Sequence, residues 1–248
     1  PSVMVVDEPV KIGNWEPKNY TNKYLGPMTL QTALAQSINT VAARLASEVG
    51  TSNVAATARR LGITSKIQLD PSMALGAVEV SPMEMAQAYA PFSNGGFLAK
   101  GYGIERIRTT SGKVLYDHGV DKGQRAQVIA SPSLQYMNQM MRQVVVGGTG
   151  TRAKVEGYDI AGKTGTTSDY RDAWFVGYTG GFVTAVWTGK DDNTSMKRVT
   201  GGGAPAEIWR NFMASALPRL KATPIPGGVI EPPAPAGEDP IGDILNPP

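Results

Sequence analysis

A hairpin-like stretch in the last third of the chain constrains the fold more than any other feature. Phe182 to Gly189 alternates bulky and small residues, and Asp172 to Tyr178 is rich in aromatic residues. The pair Gly180-Gly181 between them is typical of a tight turn, so the two stretches are predicted to form a β-hairpin. Lys163-Thr164-Gly165 precedes them, and we expect it on a neighbouring edge strand. The glycine there has no side chain, which allows a substrate backbone to approach closely.

The residues around Lys163 fit two motifs that conflict. Residues 157–164 match G-x-x-x-x-G-K-[ST], the phosphate-binding loop. That loop needs a strand before it and a helix after it, so that the helix N-terminus meets the phosphates. Here strand-like sequence follows, and Asp159 inside the loop would repel phosphate. The other motif is the Lys-Thr-Gly triplet itself. Three residues occur often by chance, so the triplet alone does not show whether this strand binds a ligand or simply faces solvent.

Composition excludes several kinds of site. The chain has no cysteine and one histidine, which excludes thiolate zinc sites, Cys-His catalysis and any site with two histidines. A Ser-His-Asp triad would have to use His118, which lies in a polar turn. We expect no metal and no cofactor. The net charge of +3, without clustered lysine and arginine, does not favour nucleic acid. No apolar run reaches the length of a membrane span.

Helical periodicity dominates the first third of the chain. Apolar residues recur every three or four positions between Thr29 and Gly50, which predicts a helical segment with those residues at its ends. Ser37 and Asn39 interrupt the apolar stripe in its middle. Both residue types favour caps and turns over helix interiors, so we predict a break in the helix there.

The order of the predicted elements suggests two subdomains. Ser81-Pro82-Met83-Glu84 is a capping box with proline at the first helical position, and it predicts a helix that runs to about Asn94. We therefore expect a helical subdomain over about 29–94 and a sheet subdomain over about 100–217. The fold class is α/β in the α+β sense, an antiparallel sheet flanked by helices, with the site in the cleft between the subdomains.

The C-terminal part combines a helix with a proline-rich segment. A last helix is predicted from Pro205 to about Leu217. The apolar residues that we expect it to bury are Ile208, Trp209, Phe212 and Met213. Residues 222–248 carry eight prolines and little apolar periodicity, which predicts an extended, flexible tail after a domain over 1–221.

A second triplet and several longer segments carry a family resemblance. Ser37-Ile38-Asn39 is an S-x-N triplet, and it precedes Lys-Thr-Gly in the order found in penicillin-binding proteins. From about residue 7 to 217 the chain resembles the transpeptidase domain of class A, bifunctional penicillin-binding proteins. The segments that carry this resemblance are Trp15–Tyr20, Met28–Asn39, Ala86–Tyr89, Asn94–Gly96, Gly148–Thr151, Lys163–Thr167, Asp172–Tyr178 and Ile208–Met213.

One element of the family pattern is missing from these 248 residues. The family nucleophile is the serine of S-x-x-K, and no serine here is followed by lysine at that spacing. Thr194-Ser195-Met196-Lys197 has threonine at the first position and lies in a polar loop. The resemblance implies that the S-x-x-K helix comes just before the segment where this sequence begins. We therefore expect an N-terminal part of the fold, with the nucleophile, upstream of Pro1.

The resemblance implies a role for each site residue. Lys163 supplies a fixed cation in the cleft, and Ser37 relays a proton to the leaving nitrogen. Asn39 holds the lysine of S-x-x-K and the substrate backbone. The backbone N–H of Thr166 is the implied oxyanion donor, paired with that of the nucleophilic serine. The implied substrate-binding residues are Thr164, Gly165, Thr166 and Thr167.

The implied activity is D,D-transpeptidation through a serine acyl-enzyme. The expected partners are peptidoglycan stem peptides ending in D-Ala-D-Ala, β-lactam antibiotics and the upstream part of the same protein. The expected location is the periplasmic or outer face of the cell membrane, with the anchor upstream. Two alternatives remain open. One is a D,D-carboxypeptidase or β-lactamase on the same fold, although no E-x-x-L-N sequence is present. The other is a non-catalytic module that binds peptidoglycan or β-lactams.

Overall fold

The computed structural model describes residues 1–119 and 125–228. Seven strands and six helices carry labels below. The strands are β1 (Met4–Asp7), β2 (Gly26–Thr29), β3 (Arg106–Arg108), β4 (Val114–Asp117), β5 (Ala161–Thr166), β6 (Asp172–Thr179) and β7 (Phe182–Gly189). The helices are α1 (Leu30–Ala35), α2 (Asn39–Val49), α3 (Thr51–Arg60), α4 (Pro82–Asn94), α5 (Ser133–Gly147) and α6 (Ala204–Ala216). The predicted mixture of helices and antiparallel sheet is confirmed.

The central sheet contains three antiparallel strands in the order β5-β6-β7. β6 and β7 form the predicted hairpin, which turns at Gly180-Gly181. Lys163 pairs with Val176 and Gly165 pairs with Trp174, so the Lys-Thr-Gly triplet lies on β5 at the edge of this sheet, as predicted. Because strand rather than helix follows the glycine-rich segment, the phosphate-binding-loop interpretation is wrong.

One face of the sheet packs against α6. Phe175 on β6 and Trp209 on α6 are fully buried, and their rings meet edge to face with centroids 5.4 Å apart. The Trp209 indole N–H lies 3.0 Å from the carbonyl oxygen of Thr184 and 3.3 Å from that of Gly177. Gly177 has no side chain because a Cβ there would overlap both aromatic rings. This face is a closed apolar core.

The opposite face is covered at only one end. There Tyr178 packs against Phe92 of α4 and Met141 of α5, and its hydroxyl donates to Asn138. Trp174, farther along β6, instead lines a cavity. The sheet therefore has one closed face and one face that opens toward the helical part of the chain.

The helix break and the capping box predicted in the first third are confirmed. α1 ends at Ala35 and α2 begins at Asn39, with Ser37 between them in the left-handed backbone region at φ 55°. The Ser81 hydroxyl and the Glu84 carboxylate cap α4 reciprocally. Glu84 also accepts hydrogen bonds from the backbone N–H groups of Thr64 and Ser65, so the loop between α3 and α4 is anchored to the start of α4.

The prediction for α6 is partly wrong. Trp209 and Met213 are buried as expected, but Ile208 and Phe212 are 48% and 57% exposed. Residues four positions apart lie in one row along a helix, and the neighbouring position lies about 100° away. The row with Trp209 contacts the sheet, and the row with Ile208 faces outward.

The predicted start of the tail at residue 222 also differs from the structure. Ile225 is buried, its N–H donates to Asp159, and Thr223 bridges to Gly180 at the turn of the hairpin. Arg142 forms a two-pronged ion pair with Asp159 and also donates to the carbonyl of Ile225. Long-range polar partners therefore dock this proline-rich segment. The rest of the predicted tail, residues 229–248, lies outside the described residues.

Burial alone would favour the neutral form of Asp159. The hydrogen bonds from Arg142 and Ile225, with the charge of Arg142, outweigh this effect of burial and lower the pKa of this carboxyl.

Among the described residues, each helix is too short or too polar to span a lipid bilayer.

Candidate active site

Two predicted site residues that are far apart in the sequence meet in the cleft. The ammonium of Lys163 donates to the hydroxyl of Ser37 at 2.8 Å, across 126 positions of sequence. The same ammonium donates to the carbonyl of Thr164 at 3.1 Å. The structure thus brings the Lys-Thr-Gly strand and the S-x-N turn together, as the predicted cleft requires.

The Ser37 turn results from the way in which α1 ends. The N–H of Ser37 donates to Leu34, and the N–H of Ile38 reaches back to Ala33. Such bonds satisfy the last carbonyls of a helix when one residue takes the left-handed conformation, which Ser37 does. A non-glycine residue with positive φ carries strain that the surroundings must offset, and this one carries a polar side chain that faces Lys163.

Burial lowers the pKa of Lys163 to about 8. Protein atoms surround the ammonium although the side chain borders an open cavity, and this desolvation disfavours the charged form. At neutral pH most molecules still carry the proton, so the group acts as a cation and a hydrogen-bond donor. A modest rise in pH is enough to remove that charge.

A buried polar network fixes the residues next to Ser37. The Asn19 side-chain oxygen accepts from the N–H groups of Asn39 and Thr40 at the start of α2. The N-cap residue of that helix forms no side-chain hydrogen bond to these groups, so Asn19 caps the helix instead. Asp7 accepts from Asn19, from the Thr40 hydroxyl and from the N–H of Leu25. Burial would raise the pKa of Asp7, but these hydrogen bonds outweigh it and lower the pKa.

The sequence interpretation assigned no role to Asp7, Asn19 or Thr40. Asn19 lies in one of the segments that carry the family resemblance, so a signal was present, but nothing local shows that its amide caps a helix about twenty residues away. The Asn39 side-chain N–H₂ donates to the carbonyl of Lys18 at 2.8 Å. That contact uses the amide nitrogen of Asn39, so its side-chain oxygen remains an acceptor for another donor.

The geometry of β5 leaves particular backbone groups available. The N–H of Thr167 donates to the carbonyl of Asp172 at 3.0 Å. Hydrogen-bonded and non-hydrogen-bonded pairs alternate in an antiparallel ladder. The N–H groups of Thr166 and Thr164 therefore point away from β6, toward the open edge of the described sheet. These are the groups that an extended ligand beside β5 would meet.

The hydroxyls after Lys163 have different surroundings. Thr164 shares a 2.6 Å hydrogen bond with Thr149, and Thr166 accepts from the N–H of Gly201. The Thr167 hydroxyl accepts from the N–H groups of Arg171 and Asp172, which organises the turn between β5 and β6. All three threonines line the cavity, and the hydroxyl of Thr167 also stabilises the turn.

The cavity beside β5 has a volume of about 690 Å³. Its sheet wall includes Trp174, Val176 and Trp187, and its helical wall includes Met85 and Tyr89 of α4. Lys163, Thr164, Gly165, Thr166 and Thr167 lie along one side. The cavity is large enough to hold several side chains and is mainly apolar apart from the β5 residues.

Two tyrosines join the loop before β2 to the turn after β5. The hydroxyls of Tyr20 and Tyr170 lie 2.8 Å apart, and their rings meet edge to face. Tyr20 belongs to the loop that contacts Asn39, and Tyr170 belongs to the turn after β5. His118, the residue that a Ser-His-Asp triad would need, lies elsewhere, stacked on Tyr102.

Comparisons with known proteins agree with this geometry. Residues 3–214 match the family model described as the penicillin-binding protein transpeptidase domain. Penicillin-binding protein 1A of Aquifex aeolicus is 39% identical over 209 residues, which cover 83% of this chain and 28% of that protein. Its counterpart in Neisseria lactamica is 37% identical over 243 residues, which cover 92% of this chain and 30% of that protein. The chain thus spans under a third of the length of these relatives.

Solved structures show the same fold. Penicillin-binding protein 1A from Haemophilus influenzae superposes with a TM-score of 0.78 at 29% identity, over 87% of this chain and 39% of that one. PonA1, a penicillin-binding protein from Mycobacterium tuberculosis, superposes with a TM-score of 0.82 at 25% identity, over 96% of this chain and 71% of that one. The chain belongs to the family of penicillin-binding protein transpeptidase domains.

Proposed function

We propose that this chain forms most of the acyl-transfer site of a D,D-transpeptidase that crosslinks peptidoglycan stem peptides. The observation that carries the proposal is the contact between Lys163 and Ser37 beside the open edge of β5. A cation, a hydroxyl and an outward-facing backbone N–H lie beside that edge, and we assign them to one ligand position. Membership of the penicillin-binding protein transpeptidase family supports this reaction class.

The reaction has two acyl-transfer steps. A serine attacks the carbonyl between the two D-alanines, the C–N bond breaks, and the terminal D-alanine leaves with a proton on its nitrogen. An amine from a neighbouring stem peptide then attacks the acyl-enzyme and releases the serine. Both steps pass through a tetrahedral oxyanion, and the Thr166 N–H at the edge of β5 is the donor that this chain supplies.

Ser37 is the proposed proton carrier. Because Lys163 donates to the Ser37 oxygen, the hydroxyl proton of Ser37 is free to point toward the leaving nitrogen. Loss of that proton is favoured when a cation lies beside the oxygen. Lys163 therefore has two proposed effects: it polarises Ser37, and it attracts the terminal carboxylate of the substrate. The hydroxyls of Thr164 and Thr166 complete the carboxylate site.

The nucleophile is proposed to lie upstream, in a segment that carries S-x-x-K. The mainly apolar cavity between Trp174 and Tyr89 is the proposed seat of that segment, since it places an incoming helix directly beside Lys163. The side-chain oxygen of Asn39 would then accept from the lysine of S-x-x-K. Thr167 and Gly165 border the same space and would leave room for the substrate backbone.

β-Lactams are proposed as acylating ligands because they present a reactive carbonyl and a carboxylate in the same arrangement as D-Ala-D-Ala. PonA1 in complex with penicillin V superposes on this chain with a TM-score of 0.80 at 25% identity, over 94% of this chain and 69% of that one. We further propose that the domain faces the periplasm or the outer cell surface, held there by an upstream membrane anchor.

Intact mass after incubation with penicillin tests the proposal. The proteins are the full-length protein, the same protein with the S-x-x-K serine changed to alanine, and residues 1–248 alone. A stable adduct on the full-length protein that both other samples lack is the expected result. An adduct on the sample that contains only residues 1–248 would show that a residue of this chain attacks the penicillin carbonyl. The roles assigned above to Ser37 and Lys163 would then be wrong. No adduct on any sample would favour a non-catalytic binding module, and rapid turnover of penicillin would favour a hydrolase.

A further inference from the structure

Thr149 touches both the S-x-N side and the Lys-Thr-Gly side of the cleft. It lies in the loop that follows α5. Its backbone N–H donates to the carbonyl of Ala35 at 3.0 Å, at the end of α1 and two residues before Ser37. Its hydroxyl shares a 2.6 Å hydrogen bond with the hydroxyl of Thr164 on β5. One residue therefore connects the S-x-N side to the Lys-Thr-Gly side.

The backbone on both sides of Thr149 is held tightly. A Cβ added to Gly148 would lie 2.4 Å from the carbonyl oxygen of Ala35, so the loop can approach α1 only without a side chain there. A Cβ added to Gly202 would lie 2.2 Å from the carbonyl oxygen of Thr149. In addition, the Gln36 side chain donates to the carbonyl of Gly147. The backbone around Thr149 is thus held by two neighbouring segments, the end of α1 and the glycine-rich loop at Gly202.

The hydrogen bond between the two threonines determines what Thr164 can offer to a ligand. Each hydroxyl has one proton and can accept from others. If Thr164 donated to Thr149, its proton would be unavailable to an anion. If Thr149 donates to Thr164, the Thr164 proton is free to point into the cavity. Among the hydrogen bonds of the described residues, the Thr149 hydroxyl has this one partner, so nothing there competes for its proton.

We infer that Thr149 is a positioning residue that directs the Thr164 proton toward the carboxylate of the ligand and keeps β5 in register with the end of α1. An anionic ligand favours this arrangement because it attracts the Thr164 proton. The inference rests on the proposed function, since it concerns recognition of the same substrate carboxylate. It assigns to Thr149 an effect that acts through Thr164.

The test compares two ligands on variants of the full-length protein. Acylation rate constants are measured for benzylpenicillin and for its methyl ester, in which the carboxylate is masked. The ratio of the two rate constants reports carboxylate recognition. We expect Thr149→Val to reduce this ratio about 5-fold, because Thr164 keeps its proton but loses the neutral hydrogen bond that orients it, and such a bond typically contributes a factor of about 2 to 10. Thr149→Ser keeps the hydroxyl, and we expect it to retain the ratio of the unmodified protein.

A purely structural role would change the outcome. If Thr149→Val slows both ligands equally, or leaves the ratio unchanged, the inference is wrong. It is also wrong if Thr149→Ser lowers the ratio as much as Thr149→Val does. Should Thr149→Val fail to fold in a thermal melt, Thr149→Cys replaces it, because a thiol is a weak donor of similar shape to serine. The same criteria then apply to Thr149→Cys.

A double substitution checks that Thr149 acts through Thr164. Thr164→Val should lower the ratio, and adding Thr149→Val to it should lower the ratio no further. Two independent, additive losses would contradict the inference. If the unmodified protein is not acylated by penicillin at all, the proposed function fails. Normal acylation with a ratio that falls in Thr164→Val but not in Thr149→Val would instead overturn only the role of Thr149.

Discussion

The two faces of the central sheet differ in how completely they are packed. On one face Phe175 meets Trp209 of α6, and both are fully buried. On the other, Trp174 and Trp187 line a cavity of about 690 Å³, and Trp187 is 40% exposed. The same two strands, β6 and β7, supply both faces by alternation of their side chains. Along β6 and β7, successive residues therefore alternate between the closed core and the face that carries the cavity.

This separation explains why a buried lysine is tolerated. Lys163 projects from β5 toward the open face, where Ser37 meets its ammonium and the cavity admits solvent or ligand. On the α6 face an ionised lysine would lie among apolar side chains with no partner, which is strongly unfavourable. Four substitutions or titrations test the contrast, from the largest expected effect to the smallest.

Replacement of Trp209 with alanine should have the largest effect. The indole fills the closed face and donates to two carbonyls, so its loss creates a cavity and leaves buried acceptors unpaired. We expect a destabilisation of about 3–5 kcal/mol. Urea unfolding followed by circular dichroism measures it, with Trp209→Phe as a milder control. A loss below about 1 kcal/mol would show that this face is not the closed core described here.

Lys163→Met should have the opposite profile, with a large effect on chemistry and little on stability. Removal of one electrostatic group from an acyl-transfer site typically slows the reaction about 100- to 1,000-fold. We expect that loss in penicillin acylation, with a melting temperature equal to or above that of the unmodified protein, because a desolvated cation is removed. Lys163→Arg should retain part of the activity. A strong fall in melting temperature for Lys163→Met would contradict the contrast between the two faces.

The pKa of Lys163 predicts two pH effects of opposite sign. Its folded-state pKa of about 8 lies below its ordinary value of 10.5, so between these values the unfolded chain binds the proton and the folded chain does not. The Lys163 contribution to stability therefore rises with pH through that window. Acylation needs the cation, and its second-order rate constant should fall as pH rises through about 8. In Lys163→Arg the charge persists, so a fall at the same pH there would assign it to another group.

Trp187→Ala should have the smallest effect. Its indole N–H donates to Asp172 at 2.9 Å, but the ring borders the cavity and is partly exposed. We expect a destabilisation of about 1 kcal/mol or less, since little packing is lost and water can reach Asp172. The comparison with Trp209→Ala uses the same residue type on neighbouring elements. Equal losses for the two tryptophans would remove the distinction between the faces.

Features that depend on neighbours in sequence were predictable. The capping box at Ser81 and Glu84 and the hairpin turn at Gly180-Gly181 follow from local rules and are confirmed. The break at Ser37 followed from residue types that favour turns. The fold class and the family followed from ordered segments that each match the same pattern, and both are confirmed.

Features that depend on distant partners were not predictable in the same way. Ile208 and Trp209 are both apolar, and the sequence does not show which row of α6 meets the sheet. Ile225 lies in a proline-rich segment and is buried because Arg142 and Asp159 bind its backbone groups. Asn19 caps a helix about twenty residues away, which no local rule indicates.

The sequence by itself determined the elements, their order and the chemistry of the Lys-Thr-Gly and S-x-N triplets, because propensities, caps and turns act over a few residues. Only the tertiary structure decided that Lys163 meets Ser37, which N–H groups of β5 face the open edge, and that Thr149 joins the two walls. These depend on the relative positions of elements far apart in the chain. Such positions are set by the sum of many packing contacts, and no single stretch of sequence encodes that sum.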